Sequence, residues 1–138
     1  MAIEHLRFRY PHMLPRDKFL WDRFLGIHGK YFDRFDYDIH VGEGIGKIYG
    51  YPENIQRMAK LLTQKRIDAV GYHGDEVWVF EIKPHAGLSA LGQVTAYEAL
   101  WNKQFPDQKV YRKAIVTDFV DQDIRYMCQL HNIRLFEV

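Results

Sequence analysis

A single cysteine, Cys128, stands among the 138 residues. One thiol excludes an internal disulfide, a thiolate-built zinc site and an iron–sulfur cluster, and a reducing compartment is the expectation. No apolar run approaches the ~20 residues that a membrane helix needs. The opening Met-Ala-Ile-Glu-His-Leu-Arg-Phe-Arg-Tyr has neither the apolar stretch nor the small-residue cleavage site of a signal peptide, so a soluble, cytoplasmic protein is expected. Charge of one sign is scarce too: 19 Lys and Arg against 18 Asp and Glu leave +1. There is thus no global electrostatic argument for nucleic acid, and any such case rests on local sites. Repeats, low-complexity tracts and Ser/Pro linkers are missing, which points to one domain over 1–138. What the chain does hold is core material. It is 47% hydrophobic and 15% aromatic, and a chain of this length buries roughly two-thirds of its unfolded surface, so disorder is excluded as the main state.

Periodicity divides the chain into short segments that alternate in kind. Leu6, Phe8 and Tyr10 alternate with polar residues and suit an extended arm over 1–13. Pro15 opens a helix whose stripe is Phe19, Leu20, Phe24 and Leu25, ending near Gly26. Residues 34–41 read as a strand, and 53–64, with Ile55, Met58, Ala59 and Leu62, as a helix. Residues 66–72 and 76–83 read as strands, 88–103 as a helix, 109–116 as a strand, 121–131 as a helix and 133–138 as a last strand. This order predicts an α/β fold, a mixed sheet covered by helices. Between the first strand and second helix, Gly42-Glu43-Gly44-Ile45-Gly46-Lys47 imitates a phosphate loop. Its spacing fails, because a P-loop needs Gly at Val41 and Ser or Thr at Ile48, and it reads as a flexible turn.

The centre of the sequence carries the chemistry. Gly74-Asp75 sits between two β-rich runs, and Gly in the first central position suits a two-residue hairpin turn. Partners across such a hairpin have numbers summing to 149, which sets Asp68 directly opposite Glu81. Period two places Lys83 on that face as well. Ile67, Ala69, Gly71, Trp78, Phe80 and Ile82 fall on the other face, and Val70, Tyr72, Val77 and Val79 share the face of the charged trio. Both faces being largely apolar, the hairpin belongs at the centre of the sheet. Opposed carboxylates in a partly buried place destabilise the sheet unless a cation joins them. Lys83 alone could be that cation, in a structural ion pair with Glu81. A hard divalent ion, Mg2+ or Mn2+, is the sharper answer for oxygen ligands without thiolates. Such an ion acidifies a bound water and neutralises charge developing on a phosphodiester, and a nearby ammonium stabilises the transition state.

Asp68 followed by Glu81-Ile82-Lys83 on the next strand, and then a helix, resembles the signature of the PD-(D/E)XK nuclease superfamily, whose fold is restriction endonuclease-like. The order of elements is similar to its αβββαβ core, with helix 53–64 as an insertion. Gln93-Val94-Thr95-Ala96-Tyr97 resembles the Gln-xxx-Tyr element of RecB-type members, and a helical projection independently sends Gln93 and Tyr97 away from Thr95, Glu98 and Asn102. The resemblance implies a metal-dependent nuclease that hydrolyses DNA. Asp68, Glu81 and the Ile82 carbonyl would hold Mg2+ or Mn2+, and Lys83 would orient the attacking water. Gln93 and Tyr97 would organise the site or touch the substrate backbone. Many members carry a further acid on the first helix; here the candidates are Asp22 and, on the glycine-rich loop, Glu43.

Further readings attach to single residues. His85 at the strand exit and Arg66 are candidates for phosphate contact, with Lys47, Lys65, Arg112 and Lys113 as a basic rim. Tyr49, Tyr51 and Trp101 are candidates for base stacking. The other histidines show no metal-ligand spacing, and Cys128 reads as a buried small apolar residue. The alternative to an enzyme is a catalytically silent nuclease-fold module for assembly or nucleic-acid binding, for example in a phage or mobile element. A plain interaction domain with an ion-pair cluster is the third reading. A homodimer is expected if two strands are to be engaged, with the Leu6-Phe8-Tyr10 arm as its mediator.

Overall fold

The computed structural model describes residues 13–138. Helix α1 spans Pro15–His28 and passes through a short 3₁₀ turn, Gly29–Tyr31, into strand β1, Arg34–Val41. Helix α2, Glu53–Thr63, precedes the hairpin of β2, Lys65–His73, and β3, Glu76–Ile82. Helix α3, Leu88–Gln104, strand β4, Arg112–Thr117, helix α4, Gln122–Leu130, and strand β5, Ile133–Glu137, complete the chain. The expected arm over 1–13 lies, apart from Met13, outside the described residues.

The five strands lie in sequence order in one sheet. β1 pairs with β2, and β2 with β3, antiparallel; β4 and β5 are added in parallel through α3 and α4. The hairpin has the expected register: His73 faces Glu76 and Ala69 faces Phe80. Gly74 has a φ of 55° and Asp75 is not in the left-handed region, which suits a two-residue turn with glycine first. β3 is central, and every residue from Val77 to Ile82 is buried.

Two apolar clusters sandwich the sheet. On one face α3 and α4 deliver Leu91, Val94, Tyr97, Trp101, Ile124 and Cys128 onto Val70, Val77, Val79 and Ile115. On the other, α1 packs Leu20, Trp21, Phe24 and Leu25 on Phe35, Trp78, Phe80 and Phe136. This second cluster is aromatic: Trp21 meets Phe80 edge-on at 5.3 Å and stacks with Phe24 at 4.9 Å. Fully burying a ring such as Phe80 contributes roughly 1.5–3 kcal/mol.

Besides shifts of a residue or two at element ends, such as β3 closing at Ile82 and leaving Lys83 outside it, the structure departs from the sequence reading in three places. α1 runs on to His28, because the Gly26 gap in the stripe is a tolerated helical glycine and not a stop. β4 starts at Arg112, since the Val110 N–H is taken by Asn102 Oδ1 (2.7 Å) instead of a strand partner. Ile67 joins the α3-side cluster, not the face of Ala69 and Phe80. Asp38 lies between the Tyr37–Ala69 and Ile39–Ile67 pairs, where the register skips it and Asp68; its φ of 60° kinks the strand pair there. The glycine-rich segment is a turn, as read. Gly42, Gly44 and Gly46 all have positive φ, and the Ile45 N–H is anchored by Thr63 Oγ1 at 2.8 Å.

Candidate active site

A cleft of about 990 Å³ opens at the end of the sheet where β3 exits. Asp17 of α1, Asp38 of β1, Arg66 and Asp68 of β2, and Gln93 and Tyr97 of α3 reach it from four directions. Ile82, the last residue of β3, lies at its floor.

The hairpin register brings the Asp68 and Glu81 side chains together, as the spacing predicts. Asp68 Oδ2 accepts the Ile82 N–H at 2.8 Å, so the carboxylate closes the strand pairing just where the ladder ends. Glu81 is only 4% exposed, and for a carboxylate that burial decides its protonation. Burial first, then the adjacent Asp68 charge, pushes the Glu81 carboxyl up from its ordinary range. Burial also raises Asp68, but the Ile82 N–H stabilises its anion. Without a cation the pair therefore keeps a proton, and Glu81 is the partner that holds it.

Helix α3 locks Glu81 in place. Tyr97 donates its hydroxyl to Glu81 Oε1 at 2.9 Å. One turn earlier on the same face, the Gln93 amide, turned nitrogen-inward, donates to Oε2 at 2.7 Å and Oε1 at 3.1 Å. Burial, with the charges of Asp68 and Glu81, raises Tyr97 far above the ordinary phenol range, so it acts as a donor. Gln93 remains exposed to the cleft while Tyr97 is buried, so the two residues differ in access though not in target.

Lys83 leaves the sheet at the cleft edge. Its N–H bonds the Val116 carbonyl at 2.9 Å, carrying the parallel pairing one residue past Ile82 and holding it extended before Pro84. Its ammonium is exposed and interacts electrostatically with Glu81 and with Asp17. Arg66 also lines the cleft, 3.5 Å from Asp38.

Three expected positions do not join this group. His85 donates its N–H to Asp118 at 2.8 Å, pairs with the same carboxylate at 3.0 Å through Nδ1, and lines a separate hollow with Phe119. Its φ of 47° turns the chain away after the strand. Glu43 pairs with Lys60 across the glycine-rich turn at 3.7 Å. Asp22 does not line the cleft. Five residues separate it from Asp17, which at ~100° each puts the two ~140° apart on α1, so only one of them can face the site. The helix sends Asp17. Burial raises Asp17, and Lys83 opposes that rise. Asp38, which pattern reading did not single out, is found only through the β1–β2 register.

Of the aromatics, Tyr49 and Tyr51 are exposed, but Trp101 is a core residue whose indole donates to the Gln108 carbonyl at 2.7 Å. Lys65 lines the cleft, whereas Lys113 is mostly buried against Glu98 at 2.9 Å. Lys47 and Arg112 line other hollows. Cys128 is buried as expected.

No protein-family model and no curated protein matches the sequence. Solved structures do share its architecture. A repair endonuclease from Pyrococcus abyssi superposes with a TM-score of 0.53 at 12% identity, over 86% of this chain and 45% of that one. EndoMS in a dsDNA complex superposes with 0.52 at 14% identity, over 91% and 46%. A protein of unknown function gives 0.54 at 16% identity, over 84% and 53%. The chain thus spans about half the length of the structures it matches.

Proposed function

From this restriction endonuclease-like fold, shared with DNA endonucleases, we propose that the protein is a metal-dependent nuclease that hydrolyses DNA phosphodiester bonds. The observation that carries the reading is the Asp68–Glu81 pair, with Asp68 lining an open cleft and Glu81 buried against it, and the Lys83 ammonium interacting with Glu81 from two residues further on.

The donor set fits a hard divalent cation. Asp68, Glu81 and the Ile82 carbonyl offer oxygen alone, and two carboxylates that hold one proton between them gain most when a cation replaces it. Among the described residues no group of three His, Cys, Asp or Glu side chains is placed to hold an ion. Two carboxylates, a carbonyl and waters form the kind of shell that Mg2+ accepts. When bound, the ion supplies an acidified water and neutralises charge on the phosphodiester.

The chain's own groups then divide the work. Tyr97 and Gln93 hold the Glu81 oxygens by hydrogen bonds, so that its orientation does not depend on the ion. The exposed Lys83 ammonium, which interacts with Glu81 and Asp17, orients the nucleophile and offsets charge developing on phosphate. Arg66 and Lys65 contact strand phosphates at the rim. A single cleft serves one strand, and cutting both strands of a duplex would use two copies.

Burial of Glu81 favours a second reading, a catalytically silent nuclease-fold module. One experiment separates the two. Plasmid, single-stranded and branched DNA are incubated with the protein in Mg2+ or Mn2+, beside Asp68→Ala and Lys83→Ala. Cleavage by the wild type with a loss of 100-fold or more in both variants, on the order of removing one transition-state donor, supports the enzyme. Equal activity in all three would mean a contaminant, and no cleavage of any DNA would favour the silent module.

A further inference from the structure

A second hollow, of about 400 Å³, lies at the opposite end of α1 from the cleft. Asp17 and Ile27 are ten residues apart on that helix, so roughly 15 Å separates the two places. Lys30, Arg112 and Arg134 bring cations to it from three separate parts of the chain. Its floor is formed by Trp78 and Phe136, both nearly buried, and exposed rings of Tyr31 and Tyr111 rise from it. Each arginine already lies over an aromatic ring, Arg112 at 4.6 Å from the Tyr111 centroid and Arg134 at 5.1 Å from that of Phe136. Glu76, which neighbours it, is occupied: it accepts from the Tyr31 hydroxyl at 2.6 Å and the Trp78 indole at 3.0 Å, fixing both rings.

Aromatic faces next to guanidiniums form the chemistry that receives unpaired nucleotides, since every base has a face to stack and every link a phosphate. The volume is within the ~300–1,000 Å³ of ligand pockets. We propose that this hollow binds one unpaired nucleotide, its base against Tyr31 and Tyr111 and its phosphate between Arg112, Arg134 and Lys30. The site stands apart from Asp68 and Glu81 and is independent of the chemistry proposed for the cleft. Its two sources are a single strand of nucleic acid and a free mononucleotide.

The test is equilibrium binding of a labelled six-residue oligothymidylate and of thymidine monophosphate, in EDTA, followed by anisotropy and by the summed fluorescence of the three tryptophans, of which Trp78 lines the hollow. Arg112→Ala and Arg134→Ala should each weaken oligonucleotide binding about 5-fold or more, and Tyr111→Ala by a similar factor, with Tyr111→Phe retaining affinity because stacking needs no hydroxyl. Lys103→Ala, an exposed lysine outside the hollow, controls for general loss of charge, and thermal unfolding verifies that each variant is folded. Monophosphate binding as tight as that of the oligonucleotide, with the same sensitivity to substitution, would support the site and assign it to the free nucleotide. Losses no larger than that of Lys103→Ala, for both ligands, would overturn the proposal. Repeating the measurement in Asp68→Ala keeps this outcome separate from that of the cleavage assay.

Discussion

Glu81 sits where an ionised carboxylate is disfavoured, and the stability of the protein should report its proton. Burial first, and then the Asp68 charge, raise its affinity for a proton in the folded state. The folded chain therefore binds more protons than the unfolded one. Stability from this group is full below the ordinary glutamate value of 4.5 and is lost as pH rises toward the raised folded value. In metal-free protein the unfolding free energy should fall between pH 5 and 8, by up to about 1.4 kcal/mol per pH unit. Glu81→Gln, which imitates the protonated side chain, should flatten that slope, and Mn2+ should restore wild-type stability at pH 8. A wild-type profile that is already flat in chelator would contradict the placement of the proton.

Among the elements, the centre of β2 tolerates no added side chain. A Cβ at Gly71 would lie 2.8 Å from a Phe32 ring carbon and 2.9 Å from one of Phe35. Phe35 is buried in the aromatic cluster under α1, and the partly buried Phe32 packs against it, so the rings must shift to admit a methyl group. Gly71→Ala should cost roughly 1–3 kcal/mol, read as a lower urea midpoint with unchanged slope, whereas Gly26→Ala, in open space on α1, should stabilise by roughly 0.5–1 kcal/mol. Equal effects would mean that the ring cluster is looser than its packing. The same strand shows how far a sequence can be read. The β2–β3 register, and with it the meeting of Asp68 and Glu81, was legible because a two-residue turn fixes it locally. Gln93 and Tyr97 were legible because a helix face is local too. The β1–β2 register depends on contacts distant in the chain, and alternation in residues 34–41 would put Phe35, Tyr37, Ile39 and Val41 on one face. The kink at Asp38 divides them: Phe35 and Tyr37 go to the α1 side, Ile39 and Val41 to the α3 side. No local pattern announces a left-handed aspartate, so the sequence alone does not point to Asp38. The choice of Asp17 over Asp22 was hidden for a related reason, since the rotation of α1 about its axis is set by the aromatic cluster beneath it.

For the whole molecule, near-neutrality sets how nucleic acid would be held. With a net charge of +1, no long-range field gathers a polyanion, and affinity rests on a few cations at the right place. Three stand at or near the cleft: Lys65 and Arg66 line it, and Lys83 interacts with Asp17, which also lines it, and with Glu81. Each phosphate neutralised contributes about −0.9 to the slope of log affinity against log salt on duplex DNA, so a short duplex bound there in EDTA should give about −3. Arg66→Ala and Lys83→Ala should each reduce the magnitude by about one, uniformly across sequences. Arg66 faces Asp38 at 3.5 Å, so its share should be the smaller of the two, because phosphate must compete with a carboxylate already present. Anisotropy measured between 50 and 200 mM salt tests the count. A slope near zero would show that the duplex does not sit on these cations, and one steeper than about −6 would require a basic surface well beyond the cleft.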